Sequence, residues 1–343
     1  MKIALDATYS VGEHLSGVGV YSRELMRELA KAHPRQPFEL CYRPHRFFRA
    51  LAETMPPNCR RALLHEPLFP RSREFFHGLN QRVPEMRFAR TVTTFHDLFV
   101  LTGDYSSPEF RRRFAEQARR AAGESDAIIA VSEFTARQVE ELLGVERSRI
   151  HVVHHGTNRL VPGESVKREK VILNVGAIQR RKNIVRLVEA FEQTAPGWQL
   201  VLAGSLGYGA EEILARVGGS PRREDIRVLR YVPQAELARW YARARVFAFP
   251  SLDEGFGMPV LEAMGGGVPV IASHRAALPE VCGNAAMLVD PEDVGALRHA
   301  LERLMRDEGL AADLVQRGLA RAAEFSWEKA AKQTWETYEL LLT

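Results

Sequence analysis

The rhythm of the apolar runs constrains this chain more than any other feature. In the first half, Lys2–Asp6, Phe38–Tyr42, Thr91–Phe95, Ala127–Val131 and Ile150–Val153 are short and rich in aliphatic and aromatic residues. Helical patterns lie between them, near 18–32, 45–54, 108–122 and 133–143. Runs that are apolar nearly throughout suit strands covered on both faces, and strand–helix alternation joins parallel strands through crossover helices. A break follows at Leu160–Ser165, which contains Pro162 and Gly163. The rhythm then restarts, with strands expected at Val171–Val175, Leu200–Ala203, Ile226–Leu229, Val246–Phe249 and Val268–Ala272. Helices are expected near 183–194, 209–217, 234–244, 259–265, 291–308, 309–324 and 326–342. The pattern predicts an α/β chain of two doubly wound, Rossmann-like domains, 1–162 and 163–325, facing each other across a cleft, with a last helix over 326–343. Open parallel sheets bind ligands at the carboxyl ends of their strands, so the chemistry is sought there.

Composition narrows the class. With 343 residues, 45% hydrophobic and 26% charged, the chain is neither disordered nor fibrous, and its length suits two domains. No stretch approaches the roughly 18 apolar residues a membrane span needs. Met1-Lys2-Ile3-Ala4-Leu5-Asp6 places an acid where a signal peptide carries its apolar core, and it reads as a first strand. Cys41, Cys59 and Cys282 are odd in number and far apart, which suggests neither a disulfide framework nor a metal quartet. A cytoplasmic protein with reduced thiols is expected. Residues 1–160 carry 24 Lys and Arg against 19 Asp and Glu, while the remainder carries 23 against 24. The basic surplus directs the first half toward an anionic partner, a membrane surface or a phosphorylated acceptor rather than nucleic acid.

The segment 246–272, VFAFPSLDEGFGMPVLEAMGGGVPVIA, carries the most chemistry. A buried strand ends at Pro250, a loop brings Asp253, Glu254, Gly255 and Gly257, and Pro259 suits the first turn of a helix reaching Gly265. Glycines allow close backbone approach, and amides at a helix start attract anions, a combination suited to a diphosphate. Glu254 on the loop and Glu262 inside the helix do not share a helical face. They suit opposite ends of an extended ligand, because a carboxylate pairs well with vicinal hydroxyls.

Glu254, seven residues, then Glu262 resembles the signature of retaining GT-B glycosyltransferases, above all the large family 4 (glycosyltransferase group 1). The likeness recurs in order along nearly the whole chain. It includes Ser16-Gly17-Val18-Gly19, Phe95-His96-Asp97-Leu98, Ala130-Val131-Ser132-Glu133 and Val152-Val153-His154-His155-Gly156. In the second half it includes Gly176-Ala177-Ile178-Gln179-Arg180-Arg181-Lys182-Asn183, Val201-Leu202-Ala203-Gly204 and the Trp240-Tyr241 helix. The resemblance implies the GT-B fold, with the last helix crossing back onto the first domain.

Roles follow from the resemblance residue by residue. Arg181 and Lys182 match the cations that bind the donor diphosphate and stabilise it as it departs; a solvated charge run is the alternative, and Arg180 is the ambiguous neighbour. Glu254 matches the acid at the donor sugar's hydroxyls, and Glu262 the acid at the ribose. Gly255, Phe256 and Gly257 are expected to offer backbone amides, and Val232 stands where backbone groups meet the nucleobase. Gly17 and Gly19 are expected in a loop between first strand and first helix, approaching the donor phosphate. His96 matches a histidine that hydrogen-bonds the donor sugar. Ser132 suits a helix cap as well as a ligand, and His151, His154 and His155 alternate across strand faces, which reads as structural.

The implied reaction moves a sugar from a nucleotide donor to an acceptor hydroxyl with retention, using no cofactor and no metal. No Asp-x-Asp metal-binding tripeptide occurs, and Arg181, Lys182 and helix amides take over the charge. The motifs resemble bacterial enzymes that use GDP-mannose in polysaccharide assembly, with a UDP-sugar such as UDP-glucose as the alternative donor. A nucleotide-sugar 2-epimerase and a non-catalytic binding protein are the more distant readings. The acceptor is expected to be a sugar or a lipid-linked sugar. Residues 45–54, 73–82 and 110–120 mix aromatics with arginines at near-helical spacing, so transient contact with an anionic membrane at its inner face is expected of the first half.

Overall fold

Apolar runs that must be covered on both faces become the central strands of two all-parallel sheets. The computed structural model describes residues 1–65, 74–158 and 166–342. The first sheet contains β1 (Ile3–Asp6), β2 (Phe38–Tyr42), β3 (Cys59–Leu63), β4 (Phe75–Gly78), β5 (Arg90–Phe95), β6 (Ala127–Ala130) and β7 (Ile150–Val152). The second contains β8 (Glu169–Val175), β9 (Gln199–Ala203), β10 (Ile226–Leu229), β11 (Ala244–Phe249), β12 (Val270–Ser273) and β13 (Ala286–Val289). Their spatial orders are β3-β2-β1-β4-β5-β6-β7 and β10-β9-β8-β11-β12-β13. In each, the chain winds outward on one side, returns past its first strand, and winds outward on the other. That return leaves a switch point beside the first strand, β1/β4 in one sheet and β8/β11 in the other, where loops diverge and a ligand fits.

The residues divide into two compact units. Met1–Gly103, Ser107–Gly156 and Phe325–Thr343 form the first; Asp104–Ser106 and Thr157–Glu324 form the second. The boundary expected at 162/163 and the break at Leu160–Ser165 lie outside the described residues. In the second unit, Ile172, Leu200, Leu202, Val246 and Ala248 pack against Leu187 and Phe191 of one helix and Leu297 and Leu301 of another. Cys41, Cys59 and Cys282 are free and buried.

The last helix, Trp327–Leu342, belongs to the first unit and packs on the first helix, Gly17–Ala32. Trp335 stacks on His33 with ring centroids 3.6 Å apart. A buried relay ties this helix to the sheet. Tyr338 Oη meets His77 Nδ1 at 2.6 Å, His77 Nε2 meets Thr94 Oγ1 at 2.9 Å, and Thr94 Oγ1 meets Tyr21 Oη at 2.9 Å. Burial holds the His77 imidazole down at about 3 and pushes the Tyr21 and Tyr338 phenols up, so the relay is neutral at neutral pH.

Several expectations are corrected. The segment 73–82, whose first residue lies outside the described residues, does not offer its aromatics to the surface: Phe75, Phe76 and His77 are buried in β4, beside β1. Strand β3 and the helix Leu278–Cys282 were not expected from periodicity because each is short and carries polar residues, and β13 because it is only four residues long. Gly17 and Gly19 do not lie in a loop. They open the first helix, where Ser16 caps the chain by accepting from Gly19 N, and a Cβ at Gly19 would stand 2.6 Å from Tyr9 O. The other two aromatic segments do keep exposed rings, with Phe48 80% and Phe110 43% exposed. Among the described residues no helix is long and apolar enough to cross a membrane.

Acid lability of the first unit follows from its buried imidazoles. Burial also lowers His96 to about 4 and His155 well below 6.5, whereas in the unfolded chain both titrate near 6.5. Between those values the unfolded state binds more protons, so stability is fully present above pH 6.5 and is lost as the pH falls toward 4. Urea unfolding from pH 7.5 to 4.5 is expected to show a midpoint that drops below pH 6.5. A flat midpoint across that range would contradict the burial of these rings.

Candidate active site

The β8/β11 switch point gathers the charged residues singled out in the sequence. After β8 the chain makes a 3-10 turn over Arg180–Lys182, then Asn183 adopts φ +57°, a left-handed conformation that Asn tolerates, and starts the helix Ile184–Glu192. After β11 a loop leads through Gly257, at φ +108°, into the helix Met258–Gly265. The two loops are stitched together. Leu252 N donates to Arg181 O at 2.9 Å, and Asn183 Nδ2 donates to Pro250 O at 3.0 Å and to Pro291 O at 2.6 Å.

Between these loops sits a buried ionic cluster. Glu254 Oε2 lies 2.9 Å from Arg181 Nη1, and Glu254 Oε1 lies 2.5 Å from Lys182 Nζ. All three residues are only 7% exposed. Arg181 also donates to Asp253 O, and the Lys182 ammonium stands 4.6 Å from the Phe249 ring centroid. Burial pushes the Glu254 carboxyl up, but Arg181 and Lys182 outweigh it and hold the group at about 2. Glu254 is therefore ionised at neutral pH. Arg180 faces elsewhere: it pairs with Glu212 at 2.8 Å on an exposed surface.

The remaining second-unit residues follow the carboxyl ends of β10 and β11. Glu262 is half-buried on the Met258–Gly265 helix and accepts from Tyr241 Oη at 2.9 Å. Burial raises its carboxyl, opposed by the Tyr241 hydrogen bond. Gly255, Phe256 and Gly257 are buried in the loop before that helix, whose start has no side-chain cap. Val232 is half-buried in the turn between β10 and the helix Gln234–Arg243.

In the first unit, His96 follows β5 and is 8% exposed, with its ring edge on Tyr21 at a centroid distance of 4.6 Å. His96 Nε2 lies 2.9 Å from Leu79 O. A carbonyl only accepts, so a neutral His96 carries its proton on Nε2 and its lone pair on Nδ1. Asp97 is half-buried beside it. Ser132 caps the helix Glu133–Leu143, accepting from Thr135 N at 3.0 Å. Gly19 N is engaged by Ser16 Oγ at 3.3 Å. Among the described residues no group of three or more His, Cys, Asp or Glu is arranged to hold a metal.

Comparison with known proteins decides the family. The family described as "Glycosyl transferases group 1" matches residues 161–321, and "Glycosyltransferase Family 4" matches residues 15–159. The O-antigen chain mannosyltransferase B of Escherichia coli is 31% identical, across 99% of this chain and 100% of its own. The chain belongs to this family. It is a glycosyltransferase. Solved structures show the same GT-B fold: sucrose-phosphate synthase from Thermosynechococcus elongatus has a TM-score of 0.79 at 24% identity, covering 100% of this chain and 99% of that one. Anabaena HepE, solved with UDP and glucose, has a TM-score of 0.76 at 17% identity, covering 99% of each chain.

Two supports of the glycosyltransferase site escaped the sequence reading. Asn183 stood in the Arg-Lys-Asn run, but its bond to Pro291 O spans 108 residues. Tyr241 stood in the Trp240-Tyr241 helix, but nothing local shows that it holds Glu262.

The ionic cluster makes a testable demand. Removing the charge of Glu254 leaves two buried cations uncompensated, which typically costs about 3–5 kcal/mol when the charge partner is lost outright. Glu254→Gln is expected to melt several degrees lower, and inorganic pyrophosphate is expected to raise its melting temperature more than the parent's. Equal response of the two proteins to pyrophosphate would show that the cations are not the carboxylate's to hold.

Proposed function

We propose that this glycosyltransferase transfers mannose from GDP-mannose to an acceptor hydroxyl, with retention and without a metal. The observation that carries the reading is the Arg181–Lys182–Glu254 cluster, buried at the carboxyl ends of β8 and β11. The choice of mannose is supported by the 31% identity with a mannosyltransferase over the full length of both chains.

In this reading Arg181 and Lys182 bind the donor diphosphate. As the bond between the anomeric carbon and the phosphate oxygen breaks, charge accumulates on that oxygen, and preplaced cations stabilise it without reorganising. Glu254, ionised and fixed, accepts hydrogen bonds from hydroxyls of the departing sugar. Ionised at neutral pH, it has no proton to give and is no general acid. The new bond forms from the acceptor oxygen to the anomeric carbon on the face the diphosphate leaves, and the acceptor's proton passes to a leaving phosphate oxygen. Glu262 accepts from the ribose hydroxyls, Gly255, Phe256 and Gly257 offer amides, and Val232 meets the base through its backbone. His96 supplies Nδ1 as a neutral acceptor for a sugar hydroxyl. Gly17, at the start of the first helix, meets the donor phosphate, and Gly19 lets that helix start close to Tyr9.

Thermal-shift titration tests this reading. GDP, UDP and ADP and their sugar conjugates are compared with and without EDTA, and a ligand at 100 times its Kd adds about 2.7 kcal/mol to native-state stability. GDP and GDP-mannose are expected to stabilise most, equally in EDTA, and Glu262→Ala is expected to weaken GDP about tenfold or more. A preference for UDP keeps the site and replaces the donor. No shift with any nucleotide overturns the proposal.

A further inference from the structure

The first sheet has its own switch point, at β1/β4, and most of the polar groups there are committed. Asp6, ending β1, accepts from Thr8 N at 3.1 Å and from Thr8 Oγ1 at 2.5 Å, with Arg43 Nη2 at 3.8 Å. His77 is spent in the relay to Tyr338 and Thr94. The turn leaving β4 is also pinned. Leu79 O is engaged by His96, Asn80 O accepts from Arg82 N at 2.8 Å, and a Cβ at Gly78 would stand 2.5 Å from Arg82 O. Besides Asp6 Oδ2, the exception is Asn80. It is only 4% exposed, and neither Oδ1 nor Nδ2 has a hydrogen-bond partner. Among the described residues it is the one buried carboxamide with both atoms unsatisfied.

Such an arrangement is costly unless something completes it, since each buried polar group without a partner destabilises the fold. What completes a carboxamide must accept from Nδ2 and donate to Oδ1 at once. Two neighbouring sugar hydroxyls do both, one as acceptor and one as donor. Asn80 also follows Leu79, whose carbonyl fixes the His96 tautomer, so it lies on the same turn that orients the proposed donor-sugar residue. We propose that Asn80 is a specificity residue for the acceptor, its carboxamide reading a pair of adjacent hydroxyls on the acceptor sugar. This rests on the reading that the chain transfers a sugar to a hydroxyl. It goes further in naming the side chain and the chemical pattern it selects. A site built to hydrogen-bond hydroxyls rejects a deoxy analogue strongly, because its own groups are then left unpaired.

The test measures binding of methyl α-mannoside, methyl α-glucoside and methyl β-galactoside by ligand-observed NMR. The full chain is used, with and without the nucleotide that stabilises it most. The tightest glycoside is then compared with its monodeoxy analogues. One deoxy position is expected to weaken binding by about tenfold, as an unpaired buried partner implies. Asn80→Leu and the near-isosteric Asn80→Asp are expected to lose a similar factor for the parent glycoside, yet to bind that deoxy analogue no worse than the parent protein does. Their nucleotide-induced thermal shifts are expected to stay unchanged. Binding that is equal in parent and variants overturns the proposal and leaves Asn80 completed by enclosed water. So does the absence of binding by every glycoside. Absence of any nucleotide shift in the parent protein indicts the donor reading instead, while the glycoside series still reads Asn80.

Discussion

A carboxylate and two cations share a space from which water is nearly excluded, and the second unit is arranged around keeping them there. Burying an ion is expensive, and mutual attraction repays it only where geometry is good and the remaining polar atoms are satisfied. Here Glu254 divides its two oxygens between Arg181 and Lys182. The backbone of both loops is cross-bonded through Leu252 and Asn183. The cluster therefore holds the ends of β8 and β11 in register with each other at the point where the sheet's winding reverses. In the proposed function the cations are gathered and desolvated in advance, with Glu254 supplying the negative charge that balances them. Preorganisation of this kind spends folding stability to keep a catalytic surface ready.

The first unit solves a different problem with neutral groups. Its core carries His77, His96 and His155, all buried and all held uncharged. His77 lies in a hydrogen-bonded line that fastens the last helix to the sheet, and His96 is turned by a backbone carbonyl into a single tautomer. Around these histidines the electrostatics are thus a matter of oriented dipoles rather than net charge.

Much of this was legible in the sequence, for identifiable reasons. The central strands read correctly because burial on both faces makes them continuously apolar. Arg181 with Lys182, and Glu254 with Glu262, were each legible within one local segment, whereas the contact of Lys182 with Glu254 spans 72 residues. The misses share a cause as well. Phe75-Phe76-His77-Gly78, flanked by arginines, reads as an amphipathic surface, and only pairing with β1 and β5 makes it core. Gly17 and Gly19 read as a flexible loop because the cap at Ser16 and the approach of Tyr9 O are three-dimensional facts. The partnership of His77 with Tyr338 spans 261 residues, and no local pattern announces it.

The central claim is that Lys182 and Arg181 carry the charge of the leaving diphosphate. Hydrolysis of GDP-mannose, transfer to water, tests it without any acceptor. With donor pre-bound and EDTA present, Lys182→Ala is expected to slow the single-turnover release of GDP by about 10²–10³, the usual loss for one preplaced charge stabiliser. The donor's Kd is expected to change far less. A rate equal to that of the parent protein, or a lost rate restored by Mg²⁺, would contradict the account.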